Sequence, residues 1–218
     1  NAGLGGVVGV NEGTVSLVDS LGVTNGTNST NVGGVIGINN GTLSSAYNES
    51  IVNGNSNVGG IIGTNGTYTV NDDTITWTSR GTVSNIVNAT SVTGGDETAD
   101  NVSEYVGGLV GINGGSVENG RNNGTITGTN YVGGMVGNNA QGATLTNLVN
   151  DSSAEILGEN YVGGIAGSNA GKITADKEND NLVNRGSITG NKFVGGVAGV
   201  NEFGGTIANT LNSVVLHA

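Results

Sequence analysis

One phrase recurs seven times along this chain: Val-Gly-Gly, two aliphatic residues, Gly, any residue, Asn. It first reads Leu4-Gly5-Gly6-Val7-Val8-Gly9-Val10-Asn11 and starts again at Val32, Val58, Val106, Val132, Val162 and Val194. A fixed phrase at near-regular spacing describes a stack of like units, each burying its apolar face against the next, and not one globular core. Counted between the first glycines (Gly5, Gly33, Gly59, Gly107, Gly133, Gly163, Gly195), the steps are 28, 26, 48, 26, 30 and 32 residues. A basic unit of about 26 residues holds three short strands with turns, which is one coil of a β-solenoid. The expected architecture is all-β: a repetitive β-solenoid or stacked β-arch of about seven coils, spanning 1–218 as a single repeat domain with a protruding β-hairpin insertion.

The unit after Gly107 is the clearest. Tyr105 to Ile112 reads as a first strand, Ser116-Val117 as a weak second and Gly124-Thr125-Ile126-Thr127-Gly128 as a third. Other units fill the second strand better, as in Gly81 to Asn88 and Ala143 to Asn150. Asn-Gly and Gly-Asn pairs separate the strands, where left-handed backbone angles are needed. No window keeps a 3.6-residue apolar period, and Gly, Asn, Thr and Val are poor helix formers.

The 48-residue step is one coil carrying two insertions. Within 67–80, alternation on both sides of Asn71-Asp72-Asp73 predicts a hairpin standing off the stack, with the single tryptophan, Trp77. Within 94–104 lies an acidic loop, Gly94-Gly95-Asp96-Glu97-Thr98-Ala99-Asp100 and on to Glu104. A shorter charged excursion, Ala175 to Asp180, comes later.

Stacked coils place like residues in columns. Val8, Ile36, Ile62, Val110, Val136, Ala166 and Ala198 are expected to form one. Asn11, Asn39, Asn65, Asn113, Asn139, Asn169 and Asn201 are expected to form another, either as turn residues or as amides bonded along the axis. Strand parity adds a puzzle. If Val132 and Val136 point inward, the neighbouring positions point outward, and they too are apolar: Val7, Val35, Ile61, Leu109, Met135, Ile165 and Val197, extended by Tyr105, Tyr131, Tyr161 and Phe193. A strand apolar on both faces is usually buried on both. Either a bulge at Gly-Gly flips the parity, or a second layer of the same chain or a neighbouring molecule covers the outer face. These eleven residues are the candidate assembly surface. Trp77 is a candidate contact for a partner.

Composition narrows the function. The chain has 43 glycines, no proline and no cysteine among 218 residues, with a net charge of -11. Glycine without proline excludes collagen, and missing cysteine excludes a disulfide framework and thiolate metal sites. Six scattered basic residues argue against nucleic acid. No run approaches the ~20 apolar residues of a membrane helix. The chain starts at Asn1 and not Met, which suggests a processed, exported product or a fragment.

Chemistry-bearing residues are few. His217 is the only histidine and lies in the tail, so a nucleophilic triad or a zinc site has no parts. No pair of carboxylates is recognisable as facing across a cleft, as glycoside hydrolysis requires. Gly-Gly-x-x-Gly resembles a nucleotide loop in letters only, because that loop must open a helix. Ca²⁺ is the one metal whose ligand chemistry fits, with Asp96, Glu97, Asp100 and Glu104 as weak candidates against the plainer reading of a solvated acidic loop. No cofactor is expected. Thr-x-Thr triplets such as Thr125-Ile126-Thr127 do not recur in every coil, as a flat ice-binding array would need. Nine Asn-x-Ser/Thr sequons occur, at Asn25, Asn28, Asn40, Asn48, Asn65, Asn88, Asn101, Asn123 and Asn150.

The phrase Tyr-Val-Gly-Gly-aliphatic-Val-Gly-x-Asn, seen at Tyr105–Asn113 and Tyr131–Asn139, resembles the GLUG-type repeat of bacterial and archaeal surface proteins, along essentially the whole chain. That resemblance implies a large secreted adhesin, or the amino-terminal region of an immunoglobulin-cleaving protease, of whose His-Glu-x-x-His motif there is no counterpart here. The first three units depart from the pattern, carrying Gly3, Asn31 and Asn57 where the aromatic stands. In composition the chain is also similar to the Gly/Asn/Thr-rich stacked β-arch proteins that sheathe some methanogenic archaea. The expected function is therefore non-enzymatic: an extracellular, cell-surface structural protein whose partner is itself, assembling end to end and laterally into a sheath, fibre or layer. The alternative is the rigid shaft or binding segment of a large secreted adhesin. An enzyme with a groove site is the third, and least supported, reading.

Overall fold

The computed structural model describes residues 2–72, 74–95, 105–176, 182–214 and 216–217. Among them there is no helix, and strands follow one another in a right-through repeat of about seven coils. Each coil contributes to three walls. The first wall has seven strands: Val8–Asn11, Ile36–Asn39, Ile62–Asn65, Val110–Asn113, Val136–Asn139, Ala166–Asn169 and Ala198–Asn201. The second holds Thr14–Ser20, Thr42–Asn48, Thr82–Asn88, Ser116–Asn122 and Thr144–Asn150, and is then split into Lys172–Thr174 with Val183–Asn184, and Thr206–Ile207 with Leu211–Asn212. The third is an arch with an outgoing arm, such as Thr125–Thr127, and a returning arm, such as Asn130–Gly133; Val23–Gly33 and Ile51–Gly59 run through both arms unbroken.

All pairing between coils is parallel and in register. Val8 meets Ile36, Ile36 meets Ile62, and the column continues through Val110, Val136, Ala166 and Ala198. The insertion in the third coil is different: Thr67–Asn71 and Thr74–Ser79 pair antiparallel with each other, Tyr68 opposite Trp77 and Val70 opposite Ile75. The late excursion begins where the second wall splits, after Thr174.

Two apolar cores fill the cross-section. The larger lies between the first and second walls and holds Ile36, Leu43, Ile62, Ile86, Val110, Leu145 and Leu148. The smaller lies inside the arch, where Val58, Val106, Val132 and Val162 of returning arms meet Val52, Val92, Ile126 and Ile156 of outgoing arms.

The candidate outward column is corrected here. Val35, Ile61, Leu109, Met135 and Ile165 are fully buried in the larger core, on the same side as their neighbours Ile36, Ile62, Val110, Val136 and Ala166. Backbone hydrogen bonds give the reason. The N–H groups of Val35 and Ile36 both donate to Ile61 O, at 3.0 and 2.9 Å, and those of Met135 and Val136 both donate to Ile165 O, at 3.1 and 2.9 Å. In a regular strand successive N–H groups point opposite ways. Two pointing at one carbonyl mark a corner that suspends the alternation, so both aliphatic residues face inward. Only the end coils leave this column open, with Val7 46% exposed and Val197 half-buried.

The glycines hold the first wall against the arch. A Cβ on Gly137 would sit 2.6 Å from Val106 N and 2.7 Å from Gly111 O, and one on Gly111 would sit 2.5 Å from Asn57 C. First wall and returning arm therefore pack backbone on backbone, with no room for a side chain between them. The second layer over the repeated strand is this chain's own.

Candidate functional site

Two asparagine ladders run the length of the stack. In the first, Nδ2 of each residue donates to Oδ1 of the next: Asn11 to Asn39 at 2.7 Å, Asn39 to Asn65 at 2.9 Å, Asn65 to Asn113 at 2.8 Å, Asn113 to Asn139 at 2.9 Å, Asn139 to Asn169 at 2.8 Å and Asn169 to Asn201 at 2.7 Å. The turn role and the axial role coexist, since Asn113 Nδ2 also donates to Gly115 O and Asn113 Oδ1 accepts from Gly115 N. The second ladder, Asn48, Asn88, Asn122, Asn150, Asn184 and Asn212, closes the second wall with links of 2.8 to 3.0 Å in the same direction. Sequence reasoning missed it, although each member is the last residue of a second-wall strand. Ser20 takes this position in the first coil, its hydroxyl 2.9 Å from that of Ser50.

The aromatic column stays outside both cores. Tyr105 and Tyr131 lie 5.1 Å apart between ring centroids, Tyr131 and Tyr161 stack at 4.7 Å, and Tyr161 and Phe193 stack at 4.7 Å. Below it the same position holds Asn57, whose Nδ2 donates to Asn31 Oδ1 at 2.9 Å. Tyr131, Tyr161 and Phe193 have φ of 47°, 53° and 54°, like Asn31 and Asn57 at 56° and 52°. Stacking holds aromatics in a left-handed conformation that favours Asn and Gly.

Trp77 is placed as an anchor. Its ring sits over Gly66 and Gly114, where any Cβ would collide with it, and 5.0 Å from the Tyr68 ring. Arg80 lies over the ring at 5.7 Å and donates to the carbonyls of Gly114 and Gln141. Half-buried, the indole fastens the hairpin to the fourth coil. Between hairpin and stack runs a cleft of about 850 Å³, lined by Val70, Ile75, Trp77, Tyr105, Tyr131 and Asn138 among others.

The first and last described coils each leave apolar residues exposed. One exposes Val7, Val10, Leu17, Leu21 and Val23; the other exposes Phe193, Phe203, Leu211 and Leu216. The ladders make these faces unlike in polarity. At one end Asn11 has donated forward and its Oδ1 accepts from Gly13 N. At the other, exposed Asn201 turns its Nδ2 to Gly205 O.

Charges are sparse and peripheral. Arg121 and Asp151 form the ion pair found among the described residues. The Ser152 backbone N–H, first, holds the Asp151 carboxyl below its ordinary range; burial opposes it, and Arg121 adds to the lowering. The Tyr47 hydroxyl is pushed up by partial burial, then by Glu49 and Asp19. Asp96, Glu97, Asp100 and Glu104 lie outside the described residues, and among those described no three potential ligands gather for a metal. His217 pairs in the outermost arch strand opposite Thr189. Among the described residues no helix is long and apolar enough to cross a membrane.

Residues 102–127 match the family model described as the GLUG motif. The match supports a GLUG-type repeat protein, and the register ties the other phrases to the matched one, Val106 pairing with Val58 and Val132, and Val162 with Val194. Searches of curated proteins and of solved structures return no match. The repeat and the solenoid fit a structural or adhesin-like protein, and neither is a typical enzyme feature.

Proposed function

We propose that this chain is a non-enzymatic structural element of the cell exterior that self-assembles by stacking its last coil on the first coil of the next copy, building a sheath, fibre or layer. One observation carries the reading: the end faces are complementary. Val8, Val10 and Asn11 share register positions with Ala198, Val200 and Asn201 through the continuous columns between them. An Asn201 Nδ2 of one copy meeting an Asn11 Oδ1 of the next would extend the ladder by one more link of the same kind. Such a head-to-tail contact does not close on itself and generates open filaments. It would cover the apolar residues of both faces. The net charge of -11 opposes association, so salt is expected to promote it. Lateral contact falls to the aromatic column of Tyr105, Tyr131, Tyr161 and Phe193, since the aliphatic column is committed to the core.

Electron microscopy of the purified chain at micromolar concentration, at low and high salt, tests this. Filaments with a ~4.8 Å axial repeat, lost in Val10→Lys, are the expected result. Dispersed short rods under all conditions would reject it.

The hairpin favours a second reading, the shaft of a secreted adhesin. Further coils of one longer chain would then cover the same faces, and the cleft beneath Val70 and Ile75 would meet the partner. Dispersed rods lead there.

A further inference from the structure

The nine sequons are not alike in the fold. Asn48, Asn65, Asn88 and Asn150 are fully buried ladder members. Asn65, Asn88 and Asn150 each accept from the residue before and donate to the one after, and Asn48 begins the second ladder by donating to Asn88. Local turn chemistry also explains residues two places on in these sequons. Asn48 Nδ2 donates to Ser50 O while Ser50 N donates to Asn48 Oδ1, and Asn88 Nδ2 donates to Thr90 O. These triplets are a product of the ladder turn. Asn40 is half-buried, with Nδ2 on Glu12 and Oδ1 accepting from Thr67. Asn123 is half-buried, with its amide oxygen enclosed. Asn101 lies outside the described residues.

Among the described sequons Asn25 and Asn28 remain, and both are exposed. They stand at the tip of the first coil's arch. There the register between Val23–Gly33 and Ile51–Gly59 runs Gly26 opposite Gly54, then Thr30 opposite Ser56. Three residues lie between the paired positions on one side and one on the other, so this loop is two residues longer than its neighbour. The extra length sets Asn25-Gly26-Thr27 and Asn28-Ser29-Thr30 back to back on an exposed bend, with Thr27 and Thr30 also exposed. The arch core accounts for Gly26, where a Cβ would meet Leu4 and Val32, but no ladder bond accounts for the asparagine and threonine of either triplet.

We infer that Asn25 and Asn28 are acceptors for N-linked glycan, attached after the chain has folded. The Nδ2 of the asparagine forms a bond to the anomeric carbon of an oligosaccharide carried as a polyprenyl pyrophosphate. The bond from that carbon to the phosphate oxygen breaks, lipid pyrophosphate leaves, and the amide gives up one proton to the transferase. Folding must come first, because an unfolded chain would offer Asn48, Asn65, Asn88 and Asn150 too. Sugar on any of these would replace a ladder hydrogen and could not be enclosed in a column with no exposed surface. The inference rests on the exterior location proposed above and is independent of self-assembly.

The test is transfer to the purified, folded chain by a single-subunit oligosaccharyltransferase with a lipid-pyrophosphate oligosaccharide, read by glycopeptide mass spectrometry. Expected is sugar on the peptide holding Asn25 and Asn28, none at the four ladder asparagines, and loss of that selectivity when the chain is first unfolded in urea. Asn25→Gln with Asn28→Gln should abolish transfer to that peptide of the folded chain. Sugar at ladder positions of the folded chain, or none at Asn25 and Asn28, would overturn the assignment. The same peptide from the producing cells separates the two readings: acceptor activity in vitro with a bare peptide in vivo would count against the exterior location.

Discussion

The indole of Trp77 fills the space where Gly114 would carry a side chain. Cζ3 and Cε3 of the ring both lie within collision distance of a Cβ built there, and Gly66 bounds the same ring, its would-be Cβ 2.8 Å from Cζ3. One methyl group should therefore evict the hairpin. Gly114→Ala is expected to release the ring to water, red-shifting tryptophan emission and raising its quenching by iodide, at a cost of about 1–3 kcal/mol. Trp77 is the only tryptophan, so the signal has one source. The circular dichroism of the stack should hardly change, because the hairpin pairs only with itself. Unchanged emission would mean that the ring is not seated in this notch.

The ladders should be worth most in mid-stack. Asn113 accepts from Asn65 Nδ2 at 2.8 Å and from Gly115 N at 3.2 Å, and donates to Asn139 Oδ1 at 2.9 Å. Asn113→Leu strands these partners in a column with no exposed surface, each at about 1–3 kcal/mol. Asn201→Leu removes an exposed link at the end of the same ladder, where water replaces the partner, and should cost under about 1 kcal/mol. Urea denaturation of both variants, at a concentration too low for assembly, decides. Equal losses would show that ladder continuity contributes nothing.

The contrast between the ladders also shows what a reader of the sequence can see. The first ladder and its aliphatic column were legible because the repeated phrase carries both at fixed internal distance. The second was harder to see, since its links span 40, 34, 28, 34 and 28 residues and the short phrase that ends on it, Asn-Ile/Leu-Val-Asn, is complete only at 85–88, 147–150 and 181–184. The reversal that buries Met135 was open in the sequence as a bulge at Gly-Gly, but nothing there decided for it. Alternation describes a straight strand, and nothing in Gly134-Met135-Val136 states that two N–H groups will share the Ile165 carbonyl. The role of Trp77 needed the notch of Gly114, which lies 37 residues away in the next coil. Long-range complementarity of a large ring and a glycine leaves no periodic trace.

Acid should weaken one outer contact. Asp151 Oδ1 accepts from Ser152 N at 2.7 Å, and its other oxygen pairs with Arg121. Its carboxyl is thereby held below the ordinary value of 3.8. A depressed folded-state value adds stability above the unfolded-state value, and that stability is lost as pH falls through the folded one. Wild type should thus lose an increment of melting temperature below about pH 4 that Asp151→Asn lacks. Above that pH the variant should be less stable by at most about 1 kcal/mol, the ordinary range for a partly exposed pair. Parallel melting curves for the two proteins across this range would refute the contribution.

Leu17 is the one large apolar residue in a column that asks for asparagine. The second wall bends at the same position in successive coils, held by Leu17, Ser45, Asn85, Asn119, Asn147 and Asn209 with φ of 54° to 59°. Left-handed backbone costs most L-residues about 1–2 kcal/mol, and asparagine is among the few that tolerate it. Leu17 is 85% exposed, so replacing it forfeits little packing. Asn147 Nδ2 reaches Asn119 Oδ1 at 3.3 Å, which shows that amides in this column can bond between coils. Leu17→Asn is therefore expected to stabilise the first coil by about 1 kcal/mol, slowing native-state hydrogen exchange over Thr14–Ser20 roughly fivefold. Asn119→Leu should do the reverse in the fourth coil. Faster exchange in Leu17→Asn would mean that the leucine makes a contact worth more than the backbone strain it imposes.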